Sequence, residues 1–134
     1  MLYGVNKEHI EKLQKVQHAA ARLISVSDVL RDLHWLRVEA RIIFKLLVLV
    51  YKCIKNIAPE CIIDLIDIRN ATTCTLAYKH FQSSYARKSF SYIAPKVWNN
   101  LPNDLRLCPT LVKFKRQLKY FLFNNFNKKK KNSL

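Results

Sequence analysis

The chain has 134 residues, half of them hydrophobic and a quarter charged, enough for one domain with a core and incompatible with wholesale disorder. One Gly and four Pro are too few turn-formers for a β-sandwich or barrel, so long helices are predicted. Lys and Arg number 24 against 9 Asp and Glu, and a net charge of +15 calls for an anionic partner, nucleic acid before membrane.

The first predicted helix begins at Asn6, a good N-cap, with Glu8 and Glu11 in its early turns. Ile10, Leu13, Val16, Ala20, Leu23 and Ile24 make its apolar face. Gln17 falls among them and needs a rim position or a hydrogen-bond partner. Lys12, Lys15, His18 and Arg22 take the other side. Ser25 to Ser27 break the pattern, and Ser27 is placed to cap a short helix, DVLRDLHWL. Leu30, Leu33 and Leu36 form its apolar edge, Trp35 wedges against the next helix, and His34 is structural.

The stretch Val38 to Ile57 is apolar around nearly its whole circumference, as a helix enclosed by others must be. Arg41, Lys45, Lys52 and Lys55 are the exceptions, and they fall on one narrow stripe at about 100° per residue. Asn56 marks its end. Pro59 then suits the first position of a short helix, PECIIDLIDI. From Arg69 to Lys88 Thr-rich and aromatic residues alternate locally, which predicts one or two short strands or an ordered loop.

Pro95 is expected to begin another short helix that ends at Asn99, Asn100 and Pro102, with Phe90, Ile93, Val97, Trp98 and Leu101 on the core. The last helix starts near Thr110, with Leu111, Phe114, Leu118, Phe121 and Leu122 on its apolar face. After Asp104 there are nine basic residues and no acidic one. Lys113, Lys115, Arg116 and Lys119 on this helix, with Lys128, Lys129, Lys130 and Lys131 beyond it, carry the strongest phosphate-binding signal in the chain. The architecture expected is mainly α: a single helical domain over 1–126 around one central apolar helix, with an irregular or β segment near 70–88. A basic, disordered tail over 127–134 completes it.

Enzyme chemistry finds little support. Glu8 with Glu11, Asp28 with Asp32, and Asp64 with Asp67 have spacings open to acid–base pairs, but each is better explained as surface carboxylates, mostly in early helical turns. No Gly-rich phosphate loop fits a chain with one Gly, so no catalytic residue and no cofactor are assigned. Cys53, Cys61, Cys74 and Cys108 form no CxxC and stand at no zinc-finger spacing from His9, His18, His34 or His80, so no metal is expected and Cys53 reads as a small buried hydrophobe. The run Ile42 to Ile54 is broken by Lys45 and Lys52 and is too short to span a bilayer, and the N-terminus lacks the apolar core of a signal peptide. An intracellular location, nucleus or cytoplasm, is expected. Phe114, Phe121, Leu122, Phe123 and Phe126 among lysines also fit a membrane-surface helix, though core packing explains them more simply.

Four segments together resemble one known protein region: LQKVQHAAARLI (Leu13 to Ile24), VLRDLHWLRVEARIIFKLLVLVYKCI (Val29 to Ile54), ARKSFSYIAPKVWNNLPNDLR (Ala86 to Arg106) and FKRQLKYFLF (Phe114 to Phe123). The region is the C-terminal segment of the polyprotein of LINE-type, non-LTR retrotransposons of the jockey-like kind, downstream of the reverse-transcriptase palm and thumb. The resemblance runs from about Leu2 to Phe123 and rests on LHWL, FKLLVLVYKC and APKVWNNLP in that order. Arg37 stands where the family pattern has Pro, and the stretches before Val29 and between Ile68 and Ser89 are shortened, as in a degenerate or internally deleted copy. The resemblance implies a parent that copies RNA into DNA with metal-binding palm aspartates. Their motif is missing here, so no catalytic residue carries over, and Met1 opening on LYG fits a fragment of a truncated element. The expected partners are therefore RNA or DNA through its phosphates, or the polymerase body and further copies of the chain through a helical docking face.

Overall fold

A computed structural model describes residues 6–22 and 36–131, with side chains left out of the description for 21–22 and 126–131. The described residues are mainly helical. They form α1 (Lys7–Arg22), α2 (Val38–Ile54), α3 (Glu60–Ile63), α4 (Phe90–Asn99), α5 (Asn103–Arg106) and α6 (Leu111–Lys131), with strands β1 (Ile68–Asn70) and β2 (Thr75–Leu76) and a 3-10 turn at Ala86–Lys88. The chain divides into two compact units, Met1–Phe44 with Leu118–Leu134, and Lys45–Gln117. α2 and α6 each supply residues to both.

In the first unit α1 starts where the Asn6 signal places it, with the Asn6 carbonyl accepting from the His9 and Ile10 amides at 2.9 and 3.3 Å. Its inward side differs from the expected one. Leu13 is 47% exposed and Val16 69%, while Ile10, Gln14 and Gln17 are half-buried. The reason is polar. Gln14 Oε1 accepts from the Val38 amide at 3.0 Å, an orphan donor at the start of α2, and Gln17 Nε2 donates to the Leu36 carbonyl at 3.2 Å. Gln17 thus has the partner its position demanded. Leu23, Ile24, the helix expected over DVLRDLHWL up to Trp35, His34 and the Asp28–Asp32 pair lie outside the described residues, while Leu36 is buried.

α2 is covered as its composition requires. Ala40, Leu46, Leu47, Val50, Tyr51 and Cys53 are buried, and within the helix only Glu39 and Lys45 are exposed. It stops at Asn56, which takes a left-handed φ of 55°. The Ile57 amide bonds the Lys52 carbonyl at 2.8 Å and the Asn56 amide the Cys53 carbonyl at 3.1 Å, the paired closure by which a helix end satisfies its last carbonyls.

The second unit is built on an aromatic row. Tyr51 stacks on Phe114 at 4.5 Å and 18°, and Trp98 lies 5.8 Å from the other ring pair member, Phe114. The Tyr51 hydroxyl donates to the Cys108 carbonyl at 2.9 Å. Burial pushes the Tyr51 phenol above its ordinary value, with the Cys108 and Cys74 thiols adding to the rise. Burial likewise raises the Cys53 thiol, as fits the buried hydrophobe expected there.

Two prolines act differently from their predicted roles. Pro59 occupies the cap position with extended ψ, and only four helical residues follow before i→i+3 turns lead into β1. Pro95 lies inside α4, which starts at Phe90, because Ser89 accepts the Tyr92 and Ile93 amides through its carbonyl at 3.2 and 3.1 Å. An interior Pro costs about 3 kcal/mol of helix stability, which its full burial beside Ile93, Ala94 and Trp98 offsets.

The short strands expected after Arg69 are an antiparallel hairpin, Ile68 opposite Leu76 and Asn70 opposite Thr75. Asn70 Oδ1 accepts the Thr72 and Thr73 amides at 2.9 and 3.3 Å to make the turn. α4 clamps this hairpin. Trp98 Nε1 donates to the Cys74 carbonyl at 2.7 Å, and the Asn99 amide both accepts from and donates to the Leu76 backbone, each at 2.9 Å.

Candidate nucleic-acid interface

α6 carries the basic residues singled out in the sequence. The Thr110 cap holds its start: Thr110 Oγ1 lies 3.4 Å from the Lys113 amide, and its carbonyl accepts from Phe114 at 3.0 Å. Phe114, Leu118 and Leu122 are buried, and Leu111 and Phe121 are half-buried. Burial of one side fixes what the other presents. Lys113, Lys115, Arg116 and Lys119 are all exposed, on an outer arc of about 160° at 100° per residue. Among the described residues none of the four enters an ion pair; the two pairs present are Lys12 with Glu8 and Lys79 with Asp67, both at 3.0 Å.

Lys128, Lys129, Lys130 and Lys131 belong to α6 by backbone, since the helix continues through Lys131 past the boundary expected at 126. Their side chains lie outside the description. On α2, Lys45 and Lys55 are exposed while Arg41 and Lys52 are half-buried, and Lys55 Nζ stands 5.8 Å from the Tyr51 ring centroid. That stripe is thus partly spent on packing.

A second cationic group escaped the sequence reading. Lys96 Nζ donates to the Tyr92 hydroxyl at 2.7 Å and sits 4.2 Å from the Tyr92 ring centroid. The hydrogen bond from Lys96 pulls the Tyr92 phenol below its ordinary value; slight burial opposes this, and the charges of Lys96 and Arg87 reinforce it. The i, i+4 spacing of Tyr92 and Lys96 was the one available signal, but it needs α4 to begin before Pro95.

Asp64 and Asp67 are exposed, and Asp67 is held by Lys79. Among the described residues no group of three or more His, Cys, Asp or Glu is arranged to hold a metal ion, all four cysteines are free, and no helix is long and apolar enough to cross a membrane. No protein-family model, curated protein or solved structure matches this chain.

Proposed function

We propose that the protein is a non-catalytic module that binds RNA or DNA through backbone phosphates, without reading bases. One observation carries this reading: Lys113, Lys115, Arg116 and Lys119 all lie on the outward arc of α6, in a chain segment with no acidic residue after Asp104. The resemblance to the C-terminal segment of a LINE-type retrotransposon polyprotein supports it, because the parent handles both RNA and DNA. Titrating labelled RNA and duplex DNA at two salt concentrations tests it. If about six phosphates are neutralised, log affinity falls against log salt with a slope of roughly −4 to −5. Binding indifferent to salt overturns the reading.

A second reading is a helical docking module that packs on a polymerase body, favoured by the exposure of Leu13 and Val16 on α1. Alone, such a module self-associates. A monomer in light scattering at high concentration counts against it.

A further inference from the structure

We infer that Tyr92, Lys96 and Arg87 form a second phosphate-binding site, on the 3-10 turn and α4. Arg87 Nε and Nη2 donate to the Phe81 and Gln82 carbonyls at 3.4 and 3.3 Å, which orients the guanidinium and leaves three of its five N–H donors unspent. Lys96 spends one of its three on Tyr92. The Tyr92 hydroxyl accepts that bond, and its own proton has no acceptor among the described residues. Phe81 meets the Tyr92 ring edge-on at 6.2 Å and holds it in place.

The group is cationic, and among the described residues neither Lys96 nor Arg87 enters an ion pair. Between Asp67 and Asp104 the sequence has no acidic residue, and Asp67 is engaged with Lys79. The ammonium and guanidinium can only donate, and the phenol has its proton left to give. Phe81 ties them together, its carbonyl taking Arg87 and its ring meeting Tyr92, so the group suits an oxyanion such as a phosphate, which offers several acceptor oxygens. The site stands apart from the α6 cations in sequence, so its fate and theirs are separable.

The test uses the full chain with two probes, inorganic phosphate and a short oligouridine. The Tyr92 ring resonance is assigned by its loss in Tyr92→Phe and followed through each titration. A shift with phosphate marks a site for the free anion; a shift with the oligonucleotide alone marks a site for a strand's phosphodiester. In the second case Lys96→Gln weakens oligonucleotide binding roughly three- to tenfold and flattens the salt slope by about one. Lys96 is exposed, so this variant keeps the fold. A Tyr92 resonance unmoved by both probes overturns the inference, even if Lys115→Gln with Lys119→Gln shows that α6 binds. A moved resonance with those α6 variants silent sustains the inference and overturns the α6 reading instead.

Discussion

α6 hides its apolar side, and α1 shows much of its own. Phe114 and Leu118 are 0% exposed, whereas Leu13 and Val16 stand largely in solvent. Both helices have helical-period hydrophobes opposite basic residues. What separates them is what each faces. α6 meets the aromatic row through Phe114. α1 meets the first turn of α2, where an unpaired amide and the Leu36 carbonyl need hydrogen bonds, and Gln14 and Gln17 supply them. Periodicity defines a helix's sides; the neighbour's chemistry selects which side turns inward.

That contrast can be broken at its strong end first. Trp98→Ala removes a fully buried indole and its bond to Cys74, and is expected to cost about 3–5 kcal/mol in denaturant unfolding. A loss as small as a surface mutant's would mean that the aromatic row does not organise the second unit. Asn99→Ala leaves both Leu76 backbone groups unpaired, for about 1–3 kcal/mol, and amide exchange at Leu76 should accelerate.

Tyr51→Phe keeps the stack on Phe114 but strands the Cys108 carbonyl, for about 1–2 kcal/mol near neutral pH. It also sharpens the alkaline limb. The folded phenol titrates above the unfolded one, so the stability it carries is whole below pH about 10 and is lost as pH rises through the folded value. Wild type should therefore lose stability there faster than Tyr51→Phe, measured by urea unfolding at a series of pH values. The smallest effect belongs to α1. Leu13→Ser and Val16→Ser should each change stability by less than about 0.5 kcal/mol. A loss of 2 kcal/mol in either would show that this face is covered in solution.

Elements with an internal signal were legible in the sequence. The all-round apolarity of α2, the Asn56 stop, the Thr110 cap and the outward placing of Lys113, Lys115, Arg116 and Lys119 all follow from residue type and spacing. Features that depend on distant partners were not. Pro is favoured at a helix start, which points to Pro95, yet the Ser89 carbonyl opens α4 earlier and burial compensates the interior Pro. Local alternation after Arg69 fits short strands or an ordered loop equally, because what holds the hairpin is Trp98 and Asn99, more than twenty residues on. The Tyr92 cluster depends on that same earlier start of α4, and on Arg87 folding back to the Phe81 and Gln82 carbonyls.

The Asn99 amide offers Leu76 one donor and one acceptor on the flank opposite Ile68, as a third strand would. A ribbon of two strands normally presents such a flank as a template on which other chains add themselves, growing into fibrils. Here a single carboxamide occupies that docking rung, so self-templated polymerisation finds no vacancy at β2.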